Sequence, residues 1–160
     1  MDEIIIEQLK KDNIKELDEL TEILYNWWGK EEGYSIEAMK ELIKSRCSEK
    51  DVPVVYIAKI NDSVVGTLTL VANDMEFKQD LYPVITSLFV KEEYRKLGIS
   101  RKLVEELVKH CKNKFDNIYL STELEGFYEK LGFEYVETCN CYYIPNQDKI
   151  LCGKVYRKSI

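Results

Sequence analysis

The sequence is poor in the features that mark membrane, secreted, repetitive or metal-built proteins. No stretch of the 160 residues approaches the roughly 18–20 consecutive apolar residues that a membrane helix needs, and no membrane partner is expected. Met1-Asp2-Glu3-Ile4-Ile5-Ile6 starts acidic and turns apolar for only a few residues, unlike a signal or transit peptide, so a cytoplasmic location is expected. The 7 glycines and 3 prolines are scattered, and no repeat, low-complexity tract or linker divides the chain. One domain over residues 1–160 is expected. There is one histidine, His110, too few ligands at metal spacing for a zinc site, and no metal is expected.

What is present begins with five cysteines, Cys47, Cys111, Cys139, Cys141 and Cys152. An odd number without a secretion signal implies reduced thiols. Cys139 and Cys141 would share one strand face, and with no base nearby they read as buried or edge-strand thiols rather than acyl carriers. The formal charge is −6, from 23 basic and 29 acidic residues. That disfavours a nucleic-acid groove, which needs a basic footprint, so no nucleic-acid partner is expected. It is compatible with a cationic acceptor and equally with a surface that keeps the protein soluble.

The hydrophobic pattern predicts a short strand near residues 4–8, then a helix capped by Asn13 with Ile14, Leu17, Leu20, Ile23 and Leu24 as its stripe. Trp27-Trp28-Gly29 ends it, and Ser35 caps a second helix. Residues 52–60 and 64–71, joined by Asn61-Asp62, read as a hairpin. A strand at 84–90 leads into a helix whose buried stripe is Leu103, Val104, Leu107, Val108 and Cys111. A strand at 118–121, a short helix at 124–131 closed by Gly132, and strands at 133–138 and 149–156 complete the order β-α-α-β-β-β-α-β-α-β-β. The predicted class is α/β (α+β) with a mixed sheet.

Chemistry concentrates in Arg95-Lys96-Leu97-Gly98-Ile99-Ser100-Arg101-Lys102, between a strand and a helix. The first amides of a helix lack intrahelical acceptors, and the helix dipole adds about 0.3–1 kcal/mol for a nearby anion. Gly98 removes a Cβ that would hold a phosphate off the backbone. Four basic residues bracket the turn in an otherwise acidic chain. Neither the P-loop nor the dinucleotide glycine spacing is present.

Arg95-x-x-Gly98-Ile99-Ser100 resembles the [QR]-x-x-G-x-[GA] signature of the GNAT superfamily of acetyl-CoA-dependent acetyltransferases, with Leu88-x-Val90 and Tyr94-Arg95 where that family has its L-x-V strand end and Y-R pair. Glu92 stands where many members have proline, Lys96 where many have glycine, and Ser100 fills the last small-residue slot. Downstream, Phe127-Tyr128-Glu129-Lys130-Leu131-Gly132-Phe133 resembles the family's F-Y-x-K-x-G-F segment. The resemblance implies a mostly antiparallel sheet of about seven strands with four helices, acting as a monomer or homodimer on a small-molecule amine. It implies pantetheine on the backbone of Leu88, Phe89 and Val90, and pyrophosphate on the amides of Lys96, Leu97, Gly98, Ile99, Ser100 and Arg101, with the Arg95, Lys96 and Arg101 side chains at hand. It also implies that Tyr128 donates a proton to the departing thiolate.

The acceptor side is less determined. Trp27, Trp28 and Tyr34 lie between the first two helices, a segment that borders the acceptor site in the family; the tryptophans read equally as stacking groups and as a hydrophobic staple. Asp74, Glu76, Asp80, Glu123 and Glu125 are carboxylates able to deprotonate an amine, and the sequence singles out none. A non-catalytic acetyl-CoA-binding module and a protein N-acetyltransferase stand as alternatives.

Overall fold

A computed structural model describes residues 2–160. Strands β1 (Ile5–Gln8), β2 (Val54–Ile60), β3 (Ser63–Val71), β4 (Val84–Val90), β5 (Asn117–Thr122), β6 (Glu134–Ile144) and β7 (Lys149–Ser159) combine with helices α1 (Ile14–Leu24), α2 (Ile36–Arg46) and α3 (Ile99–Cys111). They form one seven-stranded sheet in the order β1-β2-β3-β4-β5-β7-β6. Every pairing is antiparallel except β4 with β5. No helix among the described residues is long and apolar enough to cross a membrane.

Alternation along β2 shows how the layers form. Val54, Tyr56, Ala58 and Ile60 face α3 and its stripe of Ile99, Leu103, Val104, Leu107 and Cys111. Val55 and Ile57 face the opposite layer, where α1 and α2 bring Leu17, Leu20, Leu24, Met39 and Ile43. A strand covered on both faces is apolar at nearly every position, which is why β2 reads as an almost continuous apolar run, while β3 also buries Thr67 and Thr69. Asn61 (φ 49°) and Asp62 (φ 63°) form the left-handed two-residue turn between them, a geometry that Asn and Asp tolerate.

Several expectations need correction. The helix expected at 124–131 is absent: only a 3₁₀ turn, Glu129–Leu131, forms there. Gly126 has φ 82°, incompatible with an α-helix, and the Leu124 amide bonds to Thr122 Oγ1 at 3.0 Å. Three α-helices therefore stand where four were expected. Asn13 occupies the N-cap position of α1 but does not cap it, because its side chain accepts from the Lys10 amide at 3.0 Å. Ser35 does cap α2, accepting from Ala38 at 3.1 Å. Trp27, Trp28 and Gly29 continue α1 as a π-helical turn, Tyr25–Gly29. β6 and β7 run beyond the expected ends, with a register shift between Asn140 and Tyr142.

Gly66 sets how closely α3 approaches the sheet. A Cβ there would lie 3.1 Å from the Phe89 carbonyl oxygen and 3.3 Å from Ile99 Cγ2, so the first residue of α3 seats directly on β3. Gly66→Ala must push strand β4 or helix α3 away. Overpacking of this kind costs about 1–3 kcal/mol, and thermal unfolding of the variant should show a Tm lower by about 3–9 °C; an unchanged Tm would mean the backbone is not held there.

Candidate active site

Strands β4 and β5 share one residue pair, Val84 with Tyr119, and then diverge. Beyond that pair β4 is laddered only to β3 among the described residues, so its other edge carries no neighbouring strand from Ile85 to Val90. The strand bulges within this stretch: pairing passes from Thr69–Thr86 to Thr67–Phe89, and Ser87 adopts φ 56°. Two of the cavities that meet β4 lie on either side of the bulge. The larger, about 660 Å³, meets Leu88, Phe89 and Val90; the smaller, about 430 Å³, meets Thr86 and Ser87.

The larger cavity is lined by apolar groups from the open strand and from the Tyr128 turn, and it ends at the N-terminus of α3. No side chain caps that terminus, and no acidic residue stands in its first turn. Lys96 (φ 66°) and Gly98 (φ 79°) are both left-handed, a backbone shape that turns successive amides into a concave anion-binding surface. A Cβ at Gly98 would meet nothing within 4 Å; the glycine leaves open space above the amides. With Lys96 and Arg101 at the rim, the cradle fits a pyrophosphate-like anion.

The structure redistributes the cations expected here. Arg95 Nε donates to the Val90 carbonyl at 2.9 Å, and its guanidinium carbon stands 5.9 Å from the Phe89 ring centre. Arg101 Nη2 donates to the Lys130 carbonyl at 2.7 Å. Both brace the walls, Arg95 at the end of β4 and Arg101 between α3 and the Tyr128 turn. Leu97, expected in the set through its amide, keeps its side chain out of the cavity at 44 % exposure.

Tyr128 lines the larger cavity. Its turn closes with the Phe133 amide on the Tyr128 carbonyl and the Gly132 amide on the Glu129 carbonyl, both at 3.0 Å, with Gly132 at φ 88°; these are the bonds of a Schellman motif. Lys158 Nζ also holds the Leu131 carbonyl, at 3.1 Å. The ring packs edge-on against Phe127 and Phe133 at 5.0 and 5.7 Å. Burial pushes the phenol up to about 12.

The smaller cavity draws on distant parts of the chain: Trp27, Trp28, Glu32 and Tyr34, then Arg46, Asp74 and Glu76, and finally Tyr142 and Tyr143 from β6. Burial raises the Asp74 carboxyl, against the pull of the Thr86 hydroxyl, Arg46 and Tyr142; Tyr142 Oη donates to Asp74 Oδ1 at 3.4 Å. Burial also raises Glu32, aided by the charges of Glu76 and Asp74, and lowers Arg46, against the charge of Asp74. The remaining candidate carboxylates sort themselves out. Asp80 pairs with Lys78 at 3.1 Å, Glu125 pairs with Lys154, and Glu123 is exposed outside both cavities.

Of the residues expected on the acceptor side, Trp27, Trp28, Tyr34, Asp74 and Glu76 meet in the smaller cavity, whereas Glu32, Arg46, Thr86, Ser87, Tyr142 and Tyr143 were not foreseen. Thr86 and Ser87 carried a signal, since they directly precede the Leu88-x-Val90 strand end. The thiols stand apart: burial raises Cys47, Cys111 and Cys139 to about 11, and Cys141 is buried, with its Sγ 3.8 Å from that of Cys139. His110 is engaged elsewhere, its Nε2 lying 2.8 Å from the Asp51 carbonyl.

Comparison with known proteins accords with this geometry. The model of the Acetyltransferase (GNAT) family matches residues 17–133. N-alpha-acetyltransferase 50 of Danio rerio is 29% identical over 138 residues, covering 82% of this chain and 74% of that protein. Among solved structures, a GNAT-family acetyltransferase from Streptococcus pneumoniae superimposes with a TM-score of 0.71 at 15% identity, covering 99% of this chain and 100% of the other. An aminoglycoside 6′-N-acetyltransferase complexed with coenzyme A gives a TM-score of 0.72 at 19% identity, covering 97% of this chain and 96% of the other. With its family model spanning both the glycine turn and the Tyr128 segment, this chain belongs to the acetyltransferase (GNAT) family, acyltransferases that draw their acetyl group from acetyl-CoA.

Proposed function

We propose that the chain transfers acetyl from acetyl-CoA directly to a primary amine, with the donor in the larger cavity and the acceptor in the smaller. The observation that carries this reading is the opposite chemistry of two cavities that flank one bulge of β4: a cationic, amide-lined cradle at the end of one, and three carboxylates in the other. Acetyl-CoA supplies an activated thioester carbonyl when bound. The open edge of β4 at Leu88–Val90 offers backbone groups to an added extended chain, as in strand addition, and the amides of Gly98 to Arg101 take the pyrophosphate.

Tyr128 serves the leaving sulfur. A phenol at about 12 stays protonated at every working pH. The same apolar surroundings disfavour a bare thiolate on the departing sulfur, which gives a protonated phenol there something to stabilise. Its role is donation of the phenol hydrogen to the charge building on sulfur, aimed by a turn braced from α3 and β7. Asp74 serves the amine. An acceptor amine is protonated near neutral pH, and a carboxylate raised by burial is a better proton acceptor than a solvated one. Thiols held protonated support direct transfer over a cysteine-bound acyl group.

For the acceptor, the size and negative character of the cavity favour a small cationic amine. The name of the zebrafish relative, N-alpha-acetyltransferase 50, favours a second reading in which the acceptor is a polypeptide N-terminus. Thiol release measured across small amines and short peptides separates the two.

Three outcomes are expected. Acetyl-CoA at about one hundred times its Kd should stabilise the fold by about 2.7 kcal/mol, a Tm rise of about 5–10 °C; no shift at saturating ligand refutes the donor cavity. Tyr128→Phe should lower kcat by about 10²-fold with the KM for acetyl-CoA within about threefold, and unchanged turnover removes Tyr128 from the chemistry. Wild-type kcat should fall as pH drops through the raised Asp74 pKa, because the working form is deprotonated. Asp74→Asn should lose at least about 10²-fold in rate together with that acidic limb. Since a raised carboxyl pKa means that ionisation costs the folded state stability as pH rises, the same variant should keep or raise the Tm at neutral pH.

A further inference from the structure

We infer that Trp27 sets the length of the acyl group this enzyme accepts. The inference rests on the donor and acceptor assignment above. Among the described residues Trp27 alone lines both cavities. On β4 the boundary between them falls at the bulge, with Ser87 on the acceptor side and Leu88 on the donor side. The carbonyl carbon under attack must lie at that boundary, since it is the one place both substrates reach. The indole lines both sides of it and packs on the donor-side wall, with its ring centroid 4.8 Å from that of Phe89 and the planes tilted by 37°.

The indole is carried by a well-held backbone. It belongs to the π-helical turn Tyr25–Gly29, in which the Lys30 amide donates to the Tyr25 carbonyl at 2.9 Å and the Tyr34 amide to the Gly29 carbonyl at 2.9 Å. Trp28 is locked edge-on to Tyr34 at 5.5 Å, and Gly29 lies so close to Met39 that a Cβ would overlap its methyl group. Trp27 itself remains 42 % exposed, more than a side chain whose only task is to staple the helix to the sheet. A π turn inside or at the end of a helix is a common device for presenting a side chain at a working site. An acetyl methyl fits beneath a fixed indole, whereas each further methylene must displace it or fold back into the acceptor cavity. One methylene more or less in a fitted apolar pocket discriminates by about 10–200-fold.

Calorimetric titration of the full chain with acetyl-, propionyl- and butyryl-CoA tests this without a known acceptor. Wild type should bind butyryl-CoA at least about 10-fold more weakly than acetyl-CoA. Trp27→Ala should reduce that ratio to about twofold or less, and Trp27→Phe should give an intermediate ratio, which keeps the test available if the alanine variant does not fold. Equal wild-type affinities, or a wild-type ratio unchanged in either variant, overturn the gate while leaving the donor cavity intact. No binding of any of the three thioesters by wild type overturns the donor assignment and the gate with it.

Discussion

The parallel pairing of β4 and β5 at a single point, Val84 with Tyr119, is the constraint on which the working structure depends. Had the two strands stayed paired, the edge of β4 would carry a ladder of hydrogen bonds and offer nothing to a ligand. Their divergence leaves the β5-facing edge of β4 without a strand partner where the larger cavity meets Leu88, Phe89 and Val90. The opening is kept from closing by contacts on each side. Ile99 seats on Gly66 and holds α3 against β3, Arg95 ties off the Val90 carbonyl, and Arg101 and Lys158 clamp the Tyr128 turn on the far wall.

The charge distribution follows the same division. A chain of net charge −6 gathers Arg95, Lys96, Arg101 and Lys102 about the start of α3 and leaves that helix terminus without an acidic neighbour. Across the bulge, Glu32, Asp74 and Glu76 share a cavity with a single guanidinium, Arg46. Charges interact by about 4 kcal/mol at 4 Å in an effective dielectric of 20, enough for each cavity to discriminate by sign. The first cavity suits an anion and the second a cation, and Trp27 lines both.

How much of this was legible depended on whether its cause was local. The bounds of β4 and the stripe of α3 were readable because periodicities of 2 and 3.6 are imposed by the backbone itself. The Asn61-Asp62 turn was readable because those residues accept left-handed geometry. The extra helix at 124–131 was misread because the pattern from Leu124 to Leu131 suits a helix, while Gly126 at φ 82° breaks it. Nothing local says which conformation a glycine will take. Asn13 was misread for a related reason: its side chain had two acceptable amides to bond, and the approach of Lys10 decided between them.

The sequence by itself determined the order of the strands and of α1, α2 and α3, the glycine turn and the tyrosine segment, hence the family, since each is written in residues close together in the chain. Only the tertiary structure decided the rest. It tied one guanidinium nitrogen each of Arg95 and Arg101 to a backbone carbonyl, because which acceptor a long cation meets depends on elements that arrive from elsewhere. It buried Asp74 beside Thr86, Arg46 and Tyr142, and it placed Trp27 in the lining of both cavities. Burial and meeting distance are properties of the assembled sheet, and no window along the chain contains them.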